Sequence, residues 1–358
     1  MRQSQIPYPI DSKEKTVDYR GGNIVNILVI HSHNANRGDE AAVKAMVDEL
    51  LIKYPGATIT ISNNGFTPYP GMPENAIQID RFPKLESRMA QLEFFIVLLF
   101  KGKFAFTKEA RKFIRALKEA DVVLHAPGGP SIGDTYFKAE KLYLWRLNLI
   151  RRMGIPYIFY APSMGPFNCT SRNKLRKEVI SGAERIVLRD PISVKYVKDF
   201  LPGVEVEQAL DSALQHDIDI DKNERKYNNY PELKNFIENH EKCIGITITD
   251  LKWHPVHKNE KIIEQIPTAF KAFITQKVKE GYGVVFIPQL YGNLNDTKVM
   301  NDYMLDSDTF MIDAFSEERD TYFQQYVIGK LYAVVGMRYH SNICLLYTSP
   351  SPRDYAAS

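Results

Sequence analysis

Short β-branched runs alternate with longer segments of helical periodicity along most of this chain, a pattern that commits it to parallel α/β architecture. Val25 to His31 (VNILVIH) reads as a strand and NANRGD as a glycine-bearing turn. Asp39 to Lys53 then reads as a helix, with Ala42, Met46, Val47 and Leu50 at three-to-four spacing. Further strands are read at 57–62, 121–126, 156–161, 184–188 and 204–209, with helices near 108–119, 140–153, 171–183 and 192–200.

Residues 219–242 (DIDKNERKYNNYPELKNFIENHEK) are polar and lack a clear apolar face, as expected of a linker. A second α/β series then begins, with strands at 243–249, 283–288, 310–313 and 331–336 and helices at 262–280 and 316–328. The expected organisation is an extension over 1–23, a Rossmann-like domain over 24–218, the linker, and a second Rossmann-like domain over 243–343. A length of 358 residues suits two domains at about 150 residues each. No repeat of solenoid period is visible. Two doubly wound domains facing one another would hold a ligand at their cleft, beside the carboxyl ends of the strands.

Composition narrows the function classes. Forty-six Lys and Arg against 43 Asp and Glu leave a net charge of +3, too small an excess to predict nucleic-acid binding. Cys169, Cys243 and Cys344 lie far apart with no CxxC pair, so neither a disulfide framework nor a zinc site can be argued, and a reducing cytosol fits. The first residues, MRQSQIPYPIDSKEKTVDYRGG, have no apolar core of signal-peptide length. The longest apolar run, Phe94 to Phe100 (FFIVLLF), is far shorter than the roughly 20 residues of a membrane span. It reads as a buried helix or lid. Lys101, Lys103, Phe104 and Phe106, which follow it, leave an interfacial anchor as the other reading.

Four segments directly follow strands, where such folds bind ligands. In Asn36-Arg37-Gly38-Asp39-Glu40, Gly38 permits a tight turn and the helix start offers N–H groups to an anion; a plain capped turn with Asp39 at the helix start explains it as well. Gly128 and Gly129, followed by Ser131 and Asp134, either let backbone approach a ligand or form an ordinary loop. Arg189, at the end of 184–188, is either an anion ligand or a partner for Asp190 or another carboxylate. In Gly336-Met337-Arg338-Tyr339-His340, extended backbone would put Arg338 and His340 on one face. There a guanidinium can grip a carboxylate or phosphate and an imidazole can move a proton. His31, His33 and His125 lie at or beside strand ends and could line the same cleft. His254 and His257 (WHPVH) lack an evident third metal ligand.

In this order, NRGDEAA, GGPSIGD, PSMGPF (Pro162 to Phe167), IVLRDPIS, the ALDSALQ segment around Asp211 and GMRYHSNI resemble the polysaccharide pyruvyl transferase family over residues 24–343. The closing Gly-x-Arg-x-His is the most specific of these motifs. Pro130 departs from the pattern, standing where a further glycine is expected.

The resemblance implies a fold similar to the two-domain GT-B glycosyltransferases. It also implies transfer of the enolpyruvyl unit of phosphoenolpyruvate onto a sugar, with closure of a pyruvate ketal and release of phosphate. Phosphoenolpyruvate would be the donor substrate and no cofactor or metal is called for. The acceptor would be a saccharide of an exopolysaccharide or cell-wall glycan intermediate, lipid-linked or free, handled in the bacterial cytoplasm or at the inner membrane face. On this reading His340 transfers protons and Arg338 and Arg189 anchor the donor. The substrate-binding segments are Asn36 to Asp39, Gly128, Gly129 and Asp134, with Asp39 or Asp134 orienting the acceptor or acting as base. The alternatives are a GT-B nucleotide-sugar glycosyltransferase and an inactive, incomplete sugar-binding relative. The resemblance stops near Ile343. The final CLLYTSPSPRDYAAS resembles translated read-through of a sequencing-library adapter, so the expectation is a second domain cut short and a non-native tail over 344–358.

Overall fold

The computed structural model describes residues 25–33, 35–64, 68–83, 87–253, 261–292, 295–337 and 340. The expectations for Arg338, Tyr339, His254, His257, the 1–23 extension and the 344–358 tail fall outside these residues.

The chain divides into two compact units, one made mainly of residues 42–215 with the strand before them, the other of 216 onward together with 35–41 and 69–71. The first unit carries the strands β1 (Asn26–Ser32), β2 (Thr58–Asn63), β3 (Ala76–Asp80), β4 (Val122–His125), β5 (Gly128–Ile132), β6 (Tyr157–Tyr160), β7 (Pro162–Met164), β8 (Arg185–Leu188) and β9 (Glu207–Gln208). Seven of them form one sheet in the order β3-β2-β1-β4-β6-β8-β9, every pairing parallel. The order reverses between β1 and β4, which is where a doubly wound sheet opens its ligand crevice. β5 and β7 pair separately, just beyond the carboxyl ends of β4 and β6.

The helices of this unit are α1 (Arg37–Lys53, its first turn grouped with the second unit), α2 (Arg88–Leu99), α3 (Lys108–Glu119), α4 (Phe137–Met153), α5 (Asn173–Ser181) and α6 (Pro191–Phe200). Their apolar faces cover a core that includes Leu28, Ile30, Phe113, Leu117, Leu144, Leu147, Phe159 and Val179. In α3, Phe113, Ile114 and Leu117 fall on one side of the helix and are buried, so its periodicity is satisfied by packing. The apolar run in α2 behaves differently: Phe94 and Val97 are buried, whereas Phe95, Leu99 and Phe100 are exposed, so this helix is covered on one side only.

The second unit repeats the plan on a smaller scale. Strands β10 (Cys243–Thr247), β11 (Gly283–Phe286), β12 (Thr309–Met311) and β13 (Ala333–Gly336) form a parallel sheet in the order β12-β11-β10-β13. Strand alternation sets its two faces. Ile244, Ile246, Val284 and Phe286 pack on one side, and Cys243, Val285 and Ile287 on the other. The stretch read as a linker is part of this second core. It forms α7 (Ile220–Asn228) and α8 (Pro231–Glu238), which bury Tyr227, Tyr230 and Leu233 against Phe323 and Val327. The remaining helices are α9 (Ile262–Lys279), α10 (Thr297–Met300) and α11 (Thr321–Ile328).

Candidate functional site

The structure brings together the first and last of the four segments. His340 follows β13, next to the point where the second sheet's order reverses, and its ring lies directly on Gly38 in the first turn of α1. A β-carbon at Gly38 would overlap Nδ1, Cγ and Cβ of His340, so the approach is open only to glycine. His340 is buried there, while Asp39 beside Gly38 is half-buried.

The rest of this turn is fastened by its own side chains. The Asn36 side-chain oxygen accepts from the Gly38 N–H at 2.9 Å, and its amide donates to Asp39 at 3.0 Å. The Arg37 N–H donates to the Gln289 carbonyl at 2.8 Å, so two N–H groups at the helix start are already engaged within the protein. Arg37 is buried and donates to Glu40 at 2.6 Å and to the Ala314 carbonyl at 2.7 Å, with its guanidinium over the Tyr291 ring. Glu40 also accepts from the Tyr291 hydroxyl and from the Thr321 N–H, both at 3.0 Å. Burial and the Glu40 carboxylate raise the Tyr291 pKa. Arg37 therefore stands in a paired, stacked and buried position, and with Glu40 it fastens the 35–41 segment to the 289–291 loop and to the start of α11, all within the second unit.

Arg189 lies in the first unit at the carboxyl end of β8. It donates to Ser163 at 2.9 Å and to Asp211 at 2.6 Å. Its carboxylate partner is thus Asp211 of the ALDSALQ segment, while Asp190 instead caps α6 through the Ser193 N–H at 2.7 Å. An anion at Arg189 would compete with a buried carboxylate for the same guanidinium.

Gly128 has φ 142°, and Gly129 faces open space. The glycine of this loop under the tightest constraint is Gly133, at φ 140°, where a β-carbon would strike the Gly165 carbonyl. Asp134 follows and accepts from the N–H groups of Asn168 and Cys169 and from Arg176, at 2.6, 2.9 and 2.7 Å. Partial burial pushes its carboxyl upward, but these donors outweigh that and hold it below the usual carboxylate range. Arg176 is fully buried and also pairs with Glu140 at 2.7 Å, and Glu140 accepts from the Gly133 N–H at 2.8 Å. This network, which no sequence spacing announces, fixes the loop that carries Asp134.

A histidine cluster occupies the first sheet's reversal point. His31 and His125 meet edge-on with ring centroids 4.6 Å apart, and Tyr143 packs on His31 at the same distance. His125 Nδ1–H donates to the Ala126 carbonyl at 2.8 Å, which leaves Nε2 to accept from the Ser131 hydroxyl at 2.8 Å. Burial lowers its pKa to about 4. His31 is held well below its ordinary value, first by burial and then by His125, Arg146 and His33. It adopts φ 64°, a left-handed conformation uncommon outside glycine, and neither ring nitrogen has a hydrogen-bond partner among the described residues. His33 accepts from or donates to the Tyr143 hydroxyl at 3.1 Å.

Two parallel sheets of reversing strand order, each with polar groups at its carboxyl edge, define a GT-B-like α/β protein. A structure described as a UDP-N-acetylglucosamine 2-epimerase from Listeria monocytogenes aligns at TM-score 0.51 and 12% identity, over 89% of this chain and 75% of that one. A Methanocaldococcus jannaschii UDP-GlcNAc 2-epimerase aligns at 0.49 and 10%, over 91% and 82%. The ADP-heptose heptosyltransferase II of E. coli aligns at 0.42 and 14%, over 90% and 82%. A search of curated proteins finds no significant match. The polysaccharide pyruvyl transferase family model matches residues 36–344, and the chain belongs to that family.

Proposed function

We propose that this protein moves the enolpyruvyl unit of phosphoenolpyruvate onto two hydroxyls of a saccharide, closing a pyruvate ketal and releasing phosphate. The observation that carries the reading is the seating of the His340 ring on Gly38, which joins the turn that carries Asp39 to the Gly-x-Arg-x-His segment. The reaction needs a proton delivered to the donor's methylene carbon, stabilisation of the cationic carbon this creates, and removal of a proton from each attacking hydroxyl. His340 serves as the proton-transfer residue, with Arg338 and Arg189 as donor anchors. Asp39 is better placed than Asp134 to orient the acceptor, because it shares a turn with the His340 contact while Asp134 is engaged by three donors. The acceptor is a glycan intermediate of polysaccharide assembly at the cytoplasmic side of the membrane.

The test is phosphate release from phosphoenolpyruvate in the presence of saccharide acceptors, together with thermal protection by the donor. His340→Asn should lower kcat by about 100-fold with little change in donor affinity. Arg338→Ala should weaken donor binding by roughly thirty- to hundredfold, the equivalent of about 2–3 kcal/mol. Protection by a nucleoside diphosphate and none by phosphoenolpyruvate would replace this reading with nucleotide-sugar glycosyl transfer.

A further inference from the structure

A helix that is apolar on every side belongs in a core or in lipid, and α2 (RMAQLEFFIVLL) has only Arg88 and Glu93 as charged residues. One side of it is covered, by the packing of Phe94 and Val97 and by Trp145 stacked on Phe94 at 5.8 Å. The other side is not. Met89, Leu92, Phe95 and Leu99, spaced three, three and four residues apart on one face, are 74%, 54%, 59% and 53% exposed. Phe100, Phe104 and Phe106 extend the same exposure into the loop that follows. Among the described residues, seven of the fifteen exposed large apolar side chains thus fall between 89 and 106.

This surface is held in place. The buried Glu93 carboxylate accepts from the N–H groups of Phe106 and Thr107 and from the Thr107 hydroxyl at 2.6, 2.7 and 2.8 Å. Arg111 donates to the Phe106 carbonyl at 2.5 Å, and Phe100 meets Phe104 edge-on at 5.0 Å. The aromatic rings are therefore presented by a fastened loop.

The exposed charge around it is positive. Arg88, Lys101, Lys103, Lys108, Arg111 and Lys112 are exposed, whereas the only acids over 87–112 are the buried Glu93 and the half-buried Glu109. An apolar face rimmed by cations complements an anionic bilayer, whose acyl boundary takes the rings and whose head groups take the ammonium and guanidinium groups. A second copy would bring the same cations against one another, which opposes self-pairing.

We propose that α2 and the α2–α3 loop dock this protein onto the surface of anionic lipid bilayers. The contact lies on the membrane rather than through it: among the described residues, no helix is long and apolar enough to cross.

The experiment is co-sedimentation of the full chain with vesicles of phosphatidylcholine and phosphatidylglycerol in equal amounts, and with vesicles of phosphatidylcholine alone. Binding should favour the anionic vesicles and weaken as salt is added. Replacing Lys101 or Lys103 with Ala should lower it about fivefold, and replacing both about twenty-five-fold. Phe95→Ser with Leu99→Ser should abolish binding without lowering the melting temperature, because both side chains already face water. Three results would overturn the proposal: no binding of the wild type to anionic vesicles, equal binding to neutral ones, or binding indifferent to both pairs of substitutions. A wild-type dimer in sedimentation equilibrium that the serine variant dissolves would assign the face to a second copy instead. The readout is binding, so it stands or falls independently of the pyruvyl transfer reaction.

Discussion

Adding a single methyl group at Gly38 separates the packing of His340 from ordinary helix physics. Alanine is preferred to glycine within a helix by about 0.5–1 kcal/mol, so Gly38→Ala at a site facing open space would stabilise the protein. Here the added carbon overlaps the His340 side chain at its base as well as at its ring, and no flexible tip can swing aside. Either the imidazole or the turn must move, at a cost of about 1–3 kcal/mol. The net expectation is a loss of about 1 kcal/mol, read from urea unfolding. With His340→Ala in place the clash disappears, and the same substitution should then stabilise by about 0.5–1 kcal/mol. The four proteins form a cycle whose coupling should be about 1–3 kcal/mol. On the proposed role of His340, Gly38→Ala should also lower turnover at least about tenfold in the activity assay, because the displaced ring would no longer meet the donor in register. Stabilisation of the otherwise wild-type protein by Gly38→Ala, or a cycle with no coupling, would refute the contact.

Other expectations follow from the buried networks. Glu140→Ala removes the fully buried carboxylate paired with the fully buried Arg176 and should cost about 3–5 kcal/mol in urea unfolding. His125, with a folded pKa of about 4 against an ordinary 6.5, binds fewer protons folded than unfolded between those values. Its contribution is therefore complete above pH 6.5 and shrinks by about 3 kcal/mol as pH falls to 4. Buried His31 acts in the same direction, and His125→Gln should flatten the slope of the urea midpoint over this range. Asp134, held below its ordinary 3.8, adds stability above that pH that is lost as pH falls through its folded value, and Asp134→Asn should remove this part of the acid limb.

The α/β reading came through where a segment carries its own periodicity. The helix expected over 108–119 is α3, Lys108–Glu119, because Phe113, Ile114 and Leu117 mark one face unambiguously. The 219–242 stretch hid its role. Its core residues Tyr227, Tyr230 and Leu233 are divided between two short helices parted at Pro231, too few turns for a pattern to emerge. In FFIVLLF, composition announces an apolar helix but does not say which side the protein covers, so its exposed face was legible only in three dimensions. β5 and β7 are short and contain glycine or proline, and their pairing depends on contacts from residues more than 25 positions apart.

The candidate site divides the same way. Glycine at 38 and histidine at 340 each stood out as motif members, yet their contact comes from the fold. Arg189 has a carboxylate partner, as one of its two readings required, but the partner is Asp211 rather than the adjacent Asp190. The Arg37–Glu40 pair is local, whereas Tyr291, Ala314 and Thr321 reach it from distant parts of the sequence. Nothing in the spacing of Asp134, Glu140 and Arg176 marks them as one network.

The left-handed backbone at His31 bears on any attempt to make this protein more heat-resistant. A screen for thermostability alone would favour glycine or asparagine there, since both accept φ 64° at little cost and neither leaves an imidazole sealed away from water. Histidine at that position carries roughly 1–3 kcal/mol of backbone strain. Variants selected for melting temperature should accordingly accumulate changes at position 31.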